Sequence, residues 1–94
     1  MTSFNVVKDP DAVLDYQIDW SGWLSGSDQI ATSVWSVTGP DSALVVDNES
    51  ETTTASTVWL SGGTANEEYT VTNRITTNDG RTDDRSITIA VQER

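Results

Sequence analysis

The sequence lacks both cysteine and histidine throughout its 94 residues. Without cysteine the chain can form no disulfide, no thiolate nucleophile and no cysteine metal site, so packing alone must hold its core together. Histidine is the side chain that most often transfers protons near neutral pH and binds transition metals, and its absence weighs against most classes of enzyme. A core without disulfides suits a protein that folds in a reducing cytoplasm.

Basic residues are also scarce, with 5 lysines and arginines against 15 aspartates and glutamates, a formal net charge of -10 and a pI near 4.1. This sign is opposite to the one that binds nucleic-acid phosphates or anionic membrane surfaces. No apolar run approaches the roughly 20 residues that span a bilayer, and the first residues do not resemble a signal peptide. We therefore expect a soluble protein that has no cleavable export signal and binds neither nucleic acid nor membrane.

The residues that are abundant, threonine, serine and valine, favour β-strands over helices. The length suits one sandwich core and is too short for two. Runs of alternating apolar residues separated by turn signals predict strands at residues 4–7, 13–20, 30–38, 43–46, 52–60, 69–75 and 85–91. We predict an all-β fold: a single immunoglobulin-like β-sandwich domain of about seven antiparallel strands over residues 1–94.

Two aromatic residues have defined places in such a sandwich. Tyr69, with Val71 two residues later, fits the position at which such sandwiches have a tyrosine whose hydroxyl forms a hydrogen bond with the backbone a few residues upstream. The alternative is an ordinary tyrosine at the start of a strand. Trp35 lies in the middle of the third strand, where this fold class buries a tryptophan, and we expect it at the centre of the core. The alternation of the second strand predicts that Trp20 also faces inward.

Two other tryptophans are candidates for a binding surface. Trp59 is out of phase with Val58 and Leu60, so its ring faces outward if those two face the core. It is then either shielded by a neighbouring loop or part of an interface. Trp23 lies in a glycine-flanked turn and either covers one end of the core or anchors a partner.

No motif for catalysis or metal binding is found. Adjacent acids in turns do not make the pair across a cleft that glycoside hydrolysis needs, and no calcium-loop spacing occurs, although loop carboxylates at residues 79–84 or 47–49 have the right chemistry for calcium. Three such acidic pairs occur in the sequence: Asp9 with Asp11, Glu67 with Glu68, and Asp83 with Asp84. We predict a protein that is not an enzyme and that uses no cofactor or metal.

Three segments carry a resemblance to a known family: KDPDAVLDYQIDWSGWL, SVWSV and VWLSGGTANEEYTVTNRITTNDGRTDDRSITI. Together they run from Lys8 to about Val91, and in them the chain resembles a family of small virion proteins of tailed bacteriophages described as fibre–tail adaptors. The resemblance implies a structural protein of the head, neck or tail region, present in several symmetric copies and without enzymatic residues.

We therefore expect a structural virion protein, made in the bacterial host cytoplasm, that joins neighbouring neck, tail or fibre proteins as a non-enzymatic interaction module and forms a symmetric homo-oligomer in the particle. Its edge strands have little proline or lysine protection, which suggests that another subunit covers at least one of them. Arginines are included among the candidates because they can pair with acidic partners. The candidate interface residues are Trp59, Trp23, Phe4, Arg74 and Arg81.

The alternative function is a carbohydrate-binding or cell-surface adhesion module, because sugars stack on exposed aromatic rings. That function needs at least two coplanar outward rings, and Trp59 and Trp23 are the available candidates. A small hydrolase is a third and remote alternative, since histidine and cysteine are absent.

Overall fold

Seven strands form within residues 3–93, which the computed structural model describes, with side chains from residue 6 onward. They are β1 (Ser3–Lys8), β2 (Leu14–Asp19), β3 (Ile30–Thr38), β4 (Leu44–Glu51), β5 (Ala55–Gly62), β6 (Glu68–Thr77) and β7 (Thr82–Val91). One sheet has the order β1-β7-β6-β3 and the other the order β2-β5-β4. The prediction of an all-β sandwich is confirmed, and the immunoglobulin-like assignment stays a prediction. In the described part of the chain no helix is long and apolar enough to cross a membrane.

The core lies between the two sheets and follows the period of two that strands impose on side chains. On β6 every second side chain from Tyr69 to Thr77 is buried, and on β5 the alternating residues Ser56, Val58 and Leu60 are fully buried. Each large apolar side chain buried in this way contributes about 1.5–3 kcal/mol relative to remaining in water. The alternation visible in the sequence therefore identifies the face of each of these strands that builds the core.

Trp20 is buried more completely than Trp35. Both are inside, as predicted, yet Trp20 is fully covered whereas a small part of Trp35 remains accessible, so the prediction that Trp35 is at the centre of the core needs correction. The reason is the loop after β2, which returns over the end of the sandwich so that the Trp23 ring packs edge-on against the Trp20 ring at 5.4 Å. Arg85 covers the Trp20 ring from another direction at 4.2 Å.

The predicted bounds of β4 and β5 are wrong. β4 continues to Glu51 although its second half is polar, because that half lies at a sheet edge where both faces can be solvated. Thr52 to Thr54 do not begin β5 but form the turn before it, in which the Thr52 hydroxyl accepts hydrogen bonds from the backbone N–H groups of Thr54 and Ala55. Hydroxyl side chains compete with strand pairing in this way, which propensity alone does not reveal.

The strands are not all antiparallel. β1 pairs with β7 in parallel, with Ser3 beside Ser86 and Lys8 beside Val91. The two strands are far apart in sequence, so no tight hairpin fixes their relative direction, and the sequence contains no signal for it. β1 does end at the predicted turn before Pro10 and lies at a sheet edge.

The predicted role of Tyr69 is confirmed. Its hydroxyl accepts a hydrogen bond of 2.9 Å from the backbone N–H of Thr64, five residues upstream, and donates one of 2.6 Å to Oδ1 of Asp41. The Thr64 hydroxyl also donates to Oδ2 of Asp41, at 2.8 Å. These bonds fasten the turn before β4 to the connection before β6 at one end of the sandwich.

A buried polar network joins the two sheets. Asn73 on β6 accepts a hydrogen bond from the indole N–H of Trp20 and donates to the Ser33 hydroxyl on β3. That hydroxyl lies 2.6 Å from the Ser56 hydroxyl on β5, which also accepts from the indole N–H of Trp35. Buried polar groups are costly unless they are paired, so the bonds of this network that cross between the sheets favour one alignment of the two sheets.

Candidate interaction surface on the three-stranded sheet

Trp59 presents its ring on the outer face of the three-stranded sheet. It belongs to the central strand, β5, where its neighbours Val58 and Leu60 on either side in sequence are fully buried. Its cross-strand partners are Asp15 on β2 and Asn48 on β4. With 39% of its surface exposed, Trp59 faces outward as the sequence predicts.

Two exposed valines extend this apolar area. Val45 on β4 pairs with Ser61, the next outward residue of β5 after Trp59, and is 46% exposed. Val13 immediately precedes β2, and continuing the register of β2 with β5 places it on the other side of Ser61; it is 56% exposed. We call Val13, Val45 and Trp59 the Trp59 patch.

Polar and acidic groups surround the Trp59 patch. Asp15 and Asn48 are exposed beside the ring, and Gln17 donates a hydrogen bond of 3.3 Å to the Thr57 hydroxyl in the next row of the sheet. Asp47 accepts a hydrogen bond of 2.9 Å from the Ser61 hydroxyl between the two valines. A tryptophan with apolar neighbours inside a polar rim is the arrangement typical of the centre of a protein interface.

Trp23 is half-buried at one end of the sandwich. Besides its contact with Trp20, its ring lies 4.1 Å from the guanidinium carbon of Arg81, which also donates a hydrogen bond to the Ser25 hydroxyl. The ring is thus held between the core and an arginine, which fits the core-covering interpretation of Trp23. Trp23 and Arg81 are the two sequence-predicted interface residues that the structure brings together.

Arg74 lies on the outer face of the four-stranded sheet, away from the Trp59 patch. Its guanidinium binds both carboxylate oxygens of Asp84 on β7, at 2.7 and 3.0 Å. This hydrogen-bonded pairing raises the pKa of Arg74 and lowers the pKa of the Asp84 carboxyl. Phe4 belongs to β1, opposite Ile87, but its side chain lies outside the described residues.

The sequence pattern identifies Trp59 but not Val13 and Val45. Val45 is part of a continuous apolar run, in which the face of each residue cannot be assigned from period alone. Val13 precedes the strand, so the alternation that begins at Leu14 does not obviously include it. Only the register of β2 and β4 with β5 shows that both valines lie on the same face as Trp59.

Several acidic residues accept hydrogen bonds from backbone N–H groups in turns. A backbone hydrogen bond and then a side-chain hydrogen bond from Ser21 lower the pKa of Asp19. Burial opposes ionisation of Asp28, but hydrogen bonds from Thr77 and from the backbone N–H groups of Asp79 and Gln29 leave its pKa below the ordinary value. Among the described side chains, no group of three or more histidine, cysteine or acidic residues is placed to hold a metal ion.

Comparison with known proteins identifies one family. The family model described as podophage GP4 fiber-tail adaptor protein gp77 matches residues 8–90. A search of curated protein sequences gave no significant match. The matched range begins at the last residue of β1 and ends one residue before the end of β7, so it contains the whole Trp59 patch.

Proposed function

We propose that this chain, which belongs to the podophage GP4 fiber-tail adaptor family, binds a neighbouring tail or fibre protein through the Trp59 patch. Membership of the family makes it a structural protein of the phage virion. In this proposal it acts as a single sandwich domain, without catalysis, and the interaction is passive: one rigid surface fits another.

The observation that supports the proposal is the exposure of Trp59 at the centre of a sheet face. A tryptophan in that position keeps apolar surface in contact with water, and covering it together with Val13 and Val45 recovers about 25 cal/mol for each Å² of apolar area. Tryptophan is also enriched among the few residues that dominate binding energy at interfaces. The rigid β-sheet beneath the ring holds it in place, so little conformational entropy is lost on binding.

Charge indicates the chemistry of the partner surface. The chain has a net charge of -10, and Asp15 and Asp47 lie at the rim of the Trp59 patch. We therefore propose a partner with a basic rim around an apolar pocket, because complementary potentials accelerate and orient association. Raising the salt concentration should slow this association, and an association rate independent of salt would remove the steering argument.

The test is complementation of a phage from which the chain has been deleted. Wild-type and Trp59→Ser chains are supplied in the host, and the fibres on each particle are counted by electron microscopy. Truncating the central tryptophan should weaken binding by about 30-fold or more, so most particles should lack fibres. Fibre counts equal to wild type would refute a role for Trp59.

A matched pair of valine variants separates binding from stability. Val45→Ser changes the Trp59 patch, whereas Val7→Ser changes an exposed valine on the other sheet. Both variants should unfold at the wild-type urea concentration, and only Val45→Ser should reduce fibre attachment. Equal loss with both variants would indicate general instability instead of a binding surface.

Carbohydrate binding is the alternative function. In its favour, Trp59 stands between Asp15 and Asn48, whose side chains can hydrogen-bond sugar hydroxyls. Against it, the other candidate ring, Trp23, packs on Trp20 and beneath Arg81. Trp23 and Trp59 therefore do not form the exposed coplanar pair that sugar binding needs. A saturable change in tryptophan fluorescence with host polysaccharide, lost in Trp59→Ser, would favour this alternative.

The number of copies in the particle is a separate proposal. We propose several symmetric copies in the particle, made in the host cytoplasm before assembly. Mass measurement of detached tail complexes tests this directly, since a single copy per tail would refute it.

A further inference from the structure

The sandwich has four strands at sheet edges in the described part of the chain: β1, β3, β2 and β4. Natural proteins protect such edges with charged side chains, proline, irregular pairing or short length. β2 carries Asp15 and Asp19, and β4 carries three acids and a break in its register. β1 is six residues long and is followed by Pro10. Three of these four edges therefore have recognisable protection.

The edge formed by β3 has little protection. It is nine residues long, IATSVWSVT, with no charged residue and no proline. Its register with β6 is irregular only near Ile30, and it is regular from Thr32 to Thr38. Val34, on the outer face, is 58% exposed, more than any other large apolar side chain among those described. A long, regular and uncharged edge is a template for another strand.

The β4 strand places negative charge beside this edge. β3 and β4 pack against each other across the sandwich, each at the edge of its own sheet. Glu49 and Glu51 pair with Val58 and Ser56, which face the core, so the two glutamates belong to the face of β4 that is directed toward the four-stranded sheet. Both remain exposed because they lie at the open side of the sandwich.

We propose that an extended segment of another tail or fibre protein adds to β3 as a further strand of the four-stranded sheet. The segment has lysine or arginine on the side that faces Glu49 and Glu51, and β-branched residues on the side next to Val34. Backbone hydrogen bonds supply the affinity, and the alternating side chains supply the specificity, as in other strand additions. This inference rests on the proposed function and identifies a second contact and the chemistry of the partner.

A second copy of this chain fits the edge less well. Pairing β3 with β3 of another copy would bring the glutamates of both β4 strands to the same side of one continuous sheet. Each copy also has a net charge of -10, and like charges repel. A basic segment from a different protein meets the same edge with attraction.

The experiment compares amide hydrogen exchange in the purified chain and in the chain within tails isolated from particles. In the purified chain, the β3 amides that bond neither to β6 nor, as Ile30 does, to the Thr53 carbonyl should exchange rapidly. In tails, exchange in peptides covering residues 30–38 should slow by at least about tenfold, because added hydrogen bonds must open before exchange occurs. Exchange at the same rate in both states would overturn the strand addition.

Two lysine variants give an independent test. Val34→Lys puts a charge on the β3 edge, and Val7→Lys puts the same charge on the exposed outer face of the opposite edge strand, β1. Both variants should unfold at the wild-type urea concentration. Val34→Lys should reduce incorporation of the partner into tails at least about tenfold, and Val7→Lys should not. Equal incorporation of the partner with the two variants would overturn the inference.

The remaining outcomes distinguish this inference from the proposed function. Protection of β3 that depends on concentration in the purified chain would show that a second copy occupies the edge, which overturns the choice of partner. Loss of fibres with Trp59→Ser but no protection of β3 in tails would overturn the strand addition alone. A chain that is absent from tails would overturn both.

Discussion

The indole nitrogen of Trp20 donates a hydrogen bond of 2.9 Å to the side-chain oxygen of Asn73, and both residues are fully buried. The bond connects the residue that follows β2 of one sheet to the middle of β6 in the other. In a chain without cysteine, no covalent link joins the sheets, and this bond with its continuation through Ser33 and Ser56 takes part in setting their alignment.

Replacing Asn73 with valine should destabilise the protein strongly. The change leaves the buried Trp20 indole N–H without its acceptor and removes the hydrogen bond that Asn73 donates to the part-buried Ser33 hydroxyl. We expect a loss of about 2–4 kcal/mol in the free energy of unfolding, measured by urea denaturation. Thr70→Ala, on the outward face of the same strand, should cost less than about 1 kcal/mol. Equal costs at the two positions would contradict the role of the network.

Replacing Gly63 with alanine should destabilise the turn after β5. Gly63 has a φ of +101°, and an added Cβ would lie 2.7 Å from a methyl group of Val91. We expect a cost above about 1 kcal/mol, from backbone strain and from displacement of Val91. Gly22→Ala is the matched control, because an added Cβ there meets nothing within 4 Å, and its effect should be within about 0.5 kcal/mol. A harmless Gly63→Ala would show that this turn adjusts freely.

The stability of the protein should fall in acid partly through Asp41. Hydrogen bonds from the Tyr69 hydroxyl, the Ala43 backbone N–H and the Thr64 hydroxyl lower the pKa of Asp41 from its usual 3.8. The pKa of Asp41 is lower in the folded chain than in the unfolded chain. The Asp41 carboxylate therefore makes its full contribution to stability at pH values above the unfolded pKa, and this contribution is lost as the pH falls through the folded pKa.

The variant Asp41→Asn tests this contribution. It should be less stable than wild type at pH 7, and the difference between the two proteins should shrink as the pH falls from about 5 to 2. Urea denaturation at several pH values measures the difference. A difference that does not change with pH would show that the Asp41 charge is not stabilised by folding.

The buried lysine, Lys8, should also be important for stability. Its ammonium group donates to the backbone carbonyls of Asp9 at 2.9 Å and Gly62 at 2.8 Å, so it links β1 to the end of β5 in the other sheet. We expect Lys8→Met to reduce the free energy of unfolding by about 1–3 kcal/mol, because the carbonyls lose a charged donor. Val7→Met, at the exposed neighbouring position, should change it by less than about 0.5 kcal/mol.

The contribution of Lys8 to stability should also depend on pH, but here the cause is burial of the charged group and not hydrogen bonding to it. Burial lowers the pKa of Lys8 from its usual 10.5, although Asp9, Asp11 and Asp47 act in the other direction. At pH values between the pKa of Lys8 in the folded chain and its pKa in the unfolded chain, the unfolded chain therefore binds more protons. The stability of the wild type should rise relative to that of Lys8→Met as the pH approaches 10.5. A constant difference between pH 7 and that value would contradict burial of the charge.

The sequence predicts the fold best where one face of a strand is buried and the other is wet. The alternation around Tyr69 and along Ile87 to Val91 locates β6 and β7 and their inward faces, and the same reasoning turns Trp59 outward. It fails at the end of β4, because polar residues at an open edge have no pattern that distinguishes a strand from a loop. The direction of β1 depends on a distant strand, and local signals do not encode it.

The candidate surface is predictable only in part for a related reason. The phase of β5 identifies Trp59, but membership of the Trp59 patch depends on which residues of β2 and β4 stand beside it. Pairing between strands is a property of the whole fold. Arg74 and Arg81 show the same limit, because their positive charge is visible in the sequence whereas their contacts with Asp84 and Trp23 are not.

The parallel pairing of β1 with β7 also determines how the sandwich responds to mechanical force. The start of β1 and the end of β7 point toward opposite ends of the shared ladder, which runs from Ser3 beside Ser86 to Lys8 beside Val91. A pull between those two points acts along the strands, so the hydrogen bonds of the ladder resist in shear and share the force. A hairpin such as β6–β7, pulled apart at its open end, would instead lose its bonds one after another. Tension that enters through β1 and leaves through β7 therefore meets the arrangement of strands that is harder to separate.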